Sequence, residues 1–191
     1  MTKGEVNVQS LFEHIKPFRD QPVDTWHPEK CVDIDIRIDD RGAWHYQGSP
    51  ITRHRIAKLF ATVLRKEDDS FFLVTPPVKY RIKVDDAPFN AVELQHKGEG
   101  GNLELFLRTN MDDVIRIDTD HPLSLERREG SLSHLPYVVV RDGLTARVLR
   151  SVYYQLAEFM ETRSVGGDVD DTQMTRVGIT SAGQFFDLGA V

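Results

Sequence analysis

Two stretches of the chain change hydrophobic period from strand-like alternation to helical spacing. In the first, Val32, Ile34, Ile36 and Ile38 alternate with Asp33, Asp35, Arg37 and Asp39, which predicts a strand with one buried face. Asp39-Asp40-Arg41-Gly42 predicts a hairpin turn, Trp44 and Tyr46 an inward-facing return strand, and Gly48-Ser49-Pro50 its end. Ile56, Leu59, Phe60, Val63 and Leu64 then recur at helical spacing, with Thr52 as the expected N-cap.

The remaining pattern extends this outline in both directions. Val8, Leu11, Phe12 and Ile15 predict a short amphipathic helix within residues 1–22, stopped by Pro17, before an entry loop over 20–30 in which Trp26 plugs an edge of the core. Phe71, Phe72, Leu73 and Val74 predict a buried strand. Tyr80, Ile82 and Val84 alternate with Lys79, Arg81 and Lys83, a basic-faced strand expected at a sheet edge. Phe89–Lys97 and Leu103–Arg108 read as a hairpin around Gly98-Glu99-Gly100-Gly101-Asn102, and Val114–Asp118 as a strand. A loop over Thr119–Pro136 leads to a strand, 137–141, and a helix expected to bury Leu149, Val152, Tyr153, Leu156 and Met160. Gly166-Gly167 with Asp168, Asp170 and Asp171 reads as a flexible joint before a short hairpin around Ser181-Ala182-Gly183.

The two strand-to-helix stretches align at an offset of 93: Trp44 meets Tyr137, Ile51-Thr52 meets Leu144-Thr145, Ile56 meets Leu149, and Phe60 meets Tyr153. We therefore expect an α+β fold, a duplicated module of antiparallel strands followed by a helix. The boundary falls at Asp85-Asp86-Ala87-Pro88, between an N-terminal module over 1–86 and a C-terminal module over 87–191.

Charge narrows the function classes. The 191 residues carry 24 bases and 30 acids, a net charge of −6. Residues 1–86 balance at 14 of each, and the rest hold 10 bases against 16 acids. That distribution leaves no long basic surface for counterion release, so a polymeric nucleic acid is not the expected partner. Apolar runs fall short of the ~20 residues that span a bilayer, no secretory leader is recognisable, and the single Cys31 permits no internal disulfide. A soluble cytoplasmic protein without membrane association is the expectation.

The local charge pattern is more informative. No Asp or Glu occurs between Asp40 and Glu67, although about four would be expected in 26 residues at the chain's own frequency of acids. The expected helix start holds Arg53, His54 and Arg55, whereas helix N-termini favour acids; each such cation costs a few tenths of a kcal/mol unless an anion sits there. A solvated basic face is the other reading. The second helix repeats the pattern, with no acid between Asp142 and Glu158 and Arg147 opposite His54.

Catalytic motifs are missing: there is no GxSxG elbow, no GxxxxGK[ST] phosphate loop and no HExxH pair. The seven histidines show no metal spacing, and Asp118, Asp120 and His121 read better as a solvated turn than as a cation site. No enzyme activity, metal or cofactor is expected.

DIDIRIDDRGAWHYQGSPITR, FFLVTPPVKYRIKVDDAPF, RTNMDDV and LPYVVVRDGLTARVLRSVYYQL together resemble the bacterial family catalogued as domain of unknown function 1285, over roughly residues 20–160. Matching positions are Arg37, Trp44, Gly48, Pro50, Arg53, Pro88, Phe89, Asn110, Arg141 and Arg150; Pro77 departs, standing where a Glu is expected. The resemblance implies a domain duplication whose C-terminal domain is similar to a pleckstrin-homology-like fold. It also implies an inter-domain cleft for a small nucleotide-like ligand, with a role in signal transduction.

Taken together, these features predict a non-catalytic regulator that binds a small anionic or nucleotide-like ligand. Arg37, Arg53, Arg81, Arg141 and Arg147 are the expected phosphate ligands. Trp44 is either a base-stacking platform or a core residue. A protein-interaction module without a ligand is the alternative, ahead of an enzyme with an unrecognised site.

Overall fold

The computed structural model describes residues 7–19, 23–127, 134–165 and 174–190, and the chain divides into two compact units, Met1–Pro88 and Phe89–Val191. The described residues form fifteen strands and three short α-helices, so the chain is mostly β where an α+β balance was expected. Much of the difference comes from short strands within predicted loops and from helices of only eight or nine residues.

In the first unit, α1 (Val8–Ile15) is capped by the Asn7 side chain, which accepts from the Ser10 amide, and buries Leu11 and Ile15. The hairpin of β1 (Cys31–Ile38) and β2 (Trp44–Tyr46) continues through a two-residue turn into β3 (Ser49–Pro50). Then come α2 (His54–Thr62) and a meander of β4 (Leu64–Glu67), β5 (Ser70–Thr75) and β6 (Val78–Val84). The six-stranded sheet has the order β3-β2-β1-β6-β5-β4, with β1 and β6 parallel. Ile36, Ile38, Trp44, Leu73, Tyr80 and Ile82 are buried, as are Ile56, Leu59 and Phe60 of α2.

The basic strand is not at an edge. β6 lies between β1 and β5. Its outward cations are tolerated there because acids and an aromatic ring meet them: Lys79 pairs with Glu67, Arg81 with Asp33 at 3.5 Å, and both lie over the Phe72 ring. Glu67 also takes Arg65, whose guanidinium donates to the Trp26 and Val23 carbonyls and thereby ties the entry loop to β4. Trp26 is buried, edge-on to Phe18.

The second unit builds β7 (Phe89–Lys97), β8 (Glu104–Thr109), β9 (Val114–Arg116), β10 (Leu123–Arg127), β11 (His134–Arg141) and β12 (Leu144–Val148) into one sheet, ordered β10-β11-β12-β7-β8-β9. After α3 (Arg150–Ala157), β13 (Met160–Val165), β14 (Met174–Ser181) and β15 (Gln184–Ala190) form a separate three-stranded sheet. The Ser181 hydroxyl accepts the Leu105 amide at 2.9 Å and Ala182 N–H donates to the Leu103 carbonyl at 2.8 Å, fastening this meander to β8. The tail therefore contributes three strands where a hairpin was expected. β10 occupies part of the predicted loop, and the proposed Gly166–Asp171 joint lies outside the described residues.

In each unit a hairpin leads into a helix and a three-stranded meander follows, although in the second unit four further strands precede the hairpin and the meander forms a sheet of its own. The residue alignment of that repeat differs from the sequence offset, however. The helix N-caps are Arg53 and Leu149, 96 apart, which pairs Ile56 with Val152 and Phe60 with Leu156, all four buried. Thr145, set opposite Thr52 at offset 93, lies inside β12, and Met160 begins β13 instead of joining the helical stripe. The alternating Leu144, Ala146 and Val148 carry the strand further than the offset allowed.

Candidate functional site

A groove of about 390 Å³ in the first unit is shaped by α1, the β2–β3 corner and the start of α2. The corner depends on Gln47 and Gly48, with φ of 47° and 75°, a pair of left-handed residues that suits a two-residue turn between twisted strands. Tyr46 pairs with Ser49 across it, and Ile51 N–H donates to the Trp44 carbonyl at 2.7 Å. These bonds hold residues 49–52 beside the first turn of α2. Val8, Tyr46, Pro50, Ile51 and Ile56 supply apolar walls, and Gln9, Ser49, Thr52 and Arg53 supply the polar groups.

The helix start has neither a side-chain cap nor a first-turn acid. Its N-cap is Arg53, at φ −82° and ψ 98°. Thr52 lies one residue too early to be the cap it was expected to be. The 3₁₀-like bond from Ile56 N–H to the Arg53 carbonyl, 2.8 Å, satisfies one of the terminal amides. Arg53 and Arg55 are exposed, and among the described residues neither side chain meets a carboxylate. Two cations thus belong to the positive end of the helix, an arrangement that an added anion stabilises.

Of the six residues expected to bind ligand, Arg37, Trp44, Arg53 and Arg81 lie in the first unit, and they are not brought together within it. Only Arg53 lines the groove. Trp44 is 3% exposed and packs on Phe60 with 6.0 Å between centroids, so it serves the core and offers no face to a base. Arg37 and Arg81 alternate with buried Ile36, Ile38, Tyr80 and Ile82, while Trp44 pairs with Ile38; the two arginines therefore project from the opposite sheet face. Each has an acid there: the Arg37 Nε donates to both Asp85 oxygens at 2.9 Å, and Arg81 pairs with Asp33.

Arg141 and Arg147 belong to the second unit. Arg141 is on β11, 3.8 Å from Asp113 and over the Phe89 ring. Arg147 lies in β12, opposite Tyr137 and Asn90, and so is no part of a helix start; the basic residue opening α3 is Arg150. That start also has no side-chain cap and no first-turn acid. Asp118 is committed to its own turn, accepting the Asp120 and His121 amides at 3.0 Å each, and no three potential metal ligands cluster among the described residues.

Sequence reasoning missed Tyr46, which contributes the groove's aromatic wall, and Gln9, which reaches it from α1. Tyr46 carried a visible signal in its place two residues after Trp44 and just before the turn. Nothing in the sequence connected Gln9 with Arg53.

Comparison with known proteins relates the chain to a family described as a domain of unknown function. The family model described as domain of unknown function (DUF1285), N-terminal domain, matches residues 21–87, and that for the DUF1285 C-terminal domain matches residues 88–188. The crystal structure of a DUF1285 family protein from Silicibacter pomeroyi DSS-3 is 35% identical with a TM-score of 0.85, covering 97% of this chain and 96% of that one. One from Shewanella baltica OS155 is 26% identical with a TM-score of 0.50, covering 64% and 90%. No curated protein matches.

Proposed function

Since the chain belongs to the DUF1285 family, whose descriptions name no reaction, we propose its function from its own groove: it binds a small anionic organic ligand without transforming it. The observation that carries this reading is Arg53, a cation at an uncapped, acid-free helix start, set in the mouth of a largely apolar groove. About 390 Å³ falls within the ordinary size range of small-molecule sites. The nine lining residues among those described include no carboxylate, imidazole or thiol, which supports binding over chemistry.

A nucleotide-like ligand and a signalling role are part of the same proposal, as are a cytoplasmic setting and a pleckstrin-homology-like character for the second unit. Its six-stranded sheet followed by α3 supports the last. No helix among the described residues is long and apolar enough to cross a membrane. A protein-docking role is the second reading, favoured by Tyr154 standing 63% exposed on α3.

A thermal-shift panel of nucleotides and other organic anions tests the proposal. A ligand held at a hundred times its Kd should stabilise the fold by about 2.7 kcal/mol, and Arg53→Ala should remove the shift. No shift with any anion overturns the binding reading. Co-purification of one fixed partner, lost on Tyr154→Ala, supports docking instead.

A further inference from the structure

We infer that the groove selects ligands bearing a single terminal anionic group, a phosphomonoester or a carboxylate, on a poorly hydrated body. This rests on the anion-binding reading above and narrows its ligand class. Among the described lining residues only Arg53 carries a formal charge. One guanidinium matches one phosphate or carboxylate head and can engage it through two parallel hydrogen bonds. Beyond Arg53 the lining is Tyr46, Pro50, Ile51, Ile56 and Val8, with hydroxyls from Ser49 and Thr52 and the Gln9 carboxamide.

A second phosphate on the same ligand would meet no further cation among the described lining residues. It would lie against apolar side chains, losing water without gaining a counter-charge. Arg55, the nearest other unpaired cation in sequence, is exposed and is not part of the lining. Nor can Arg37 or Arg81 supply the missing charge, since both are ion-paired on the far face of the sheet. The apolar walls give most of their surface to the ligand's body, so inorganic phosphate alone fills little of the site. A nucleoside monophosphate and a medium-chain carboxylate share the required chemistry, and the probes below separate them.

Titration calorimetry on the full chain compares adenosine mono-, di- and triphosphate, decanoate, decyl phosphate and inorganic phosphate. The expected result is tightest binding by a single-headed compound, with affinity falling on the order of tenfold per added phosphate and inorganic phosphate weakest. Preference for adenosine monophosphate over decyl phosphate identifies a nucleotide as the source; the reverse identifies an aliphatic amphiphile. Either order supports the inference. Arg53→Ala should abolish binding, while Arg150→Ala, on α3, should leave it unchanged. Tighter binding of the di- or triphosphate overturns the single-head inference but leaves anion binding standing. Binding by none of the probes overturns both.

Discussion

The indole of Trp44 packs on Phe60 at a 49° tilt, and its buried Nε1–H has no hydrogen-bond partner among the described residues. The pair joins β2 to α2 beneath the groove and shows that the tryptophan contributes through its apolar surface.

Replacing Trp44 tests that assignment. Trp44→Ala should cost about 3–5 kcal/mol through the cavity it leaves. Trp44→Phe should cost under about 1.5 kcal/mol, because it keeps an aromatic ring and deletes an unsatisfied donor. Ligand affinity should survive in Trp44→Phe. Urea unfolding and calorimetry measure the two effects, and a phenylalanine variant that folds but no longer binds would return Trp44 to the site.

Glu67 joins three elements, accepting from Arg65 and Lys79 while Arg65 reaches the Trp26 carbonyl. Glu67→Gln should destabilise the protein by about 1–2 kcal/mol, because two half-buried cations lose their counter-charge. Chemical unfolding should show this loss, whereas Glu161→Gln, on exposed β13, should stay within about 0.5 kcal/mol of wild type.

The same carboxylate predicts a pH dependence. Burial pushes Glu67 up, but hydrogen bonds from Lys79 and Arg65 outweigh it and hold the group below the usual carboxylate range. Burial likewise raises Asp39 and is overcome by His45 and the Ala43 and Arg41 amides. Both are therefore lowered on folding. Their contribution is present above the unfolded values, near pH 4 to 4.5, and is lost as pH falls through the folded ones. Thermal melts between about pH 6 and 3 should show stability declining below pH 4.5, with a shallower decline in Glu67→Gln.

Arg53→Asp separates stability from binding. Aspartate at an extended N-cap can accept a first-turn amide and complements the helix dipole, so the variant should gain about 1 kcal/mol. It should also lose anion affinity altogether. A variant that is both destabilised and still competent to bind would contradict the groove reading.

Local pattern was enough for much of the first unit. The alternation over residues 32–38, the turn ending at Gly42 and the helical stripe of Ile56, Leu59 and Phe60 each depend on side chains close in sequence, and each appears in the structure. Val63 and Leu64, expected on the same stripe, lie beyond the helix, and Leu64 opens β4. Position in the sheet was not accessible in that way. A charged face on the Lys79–Lys83 strand reads as an edge, because sequence does not show that Glu67 and Asp33 arrive to neutralise it. Strand and helix limits failed for a related reason: Thr145 reads as a counterpart of the Thr52 cap and Met160 fits a helical stripe, but strand pairing with Val139 and Ile179 decides where they lie.

For the candidate site, the sequence by itself determined the unusual feature, a helix start with arginines and no acids, since that is a matter of neighbours along the chain. Only the tertiary structure decided which arginines could share a ligand. Alternation on β1 and β6 turns Arg37 and Arg81 away from Trp44 and into ion pairs, while the Gln47-Gly48 turn folds Tyr46 and Ile51 up beside Arg53. Which side of a sheet a residue faces, and what meets it there, depends on register between distant strands, and no spacing within a single segment encodes it.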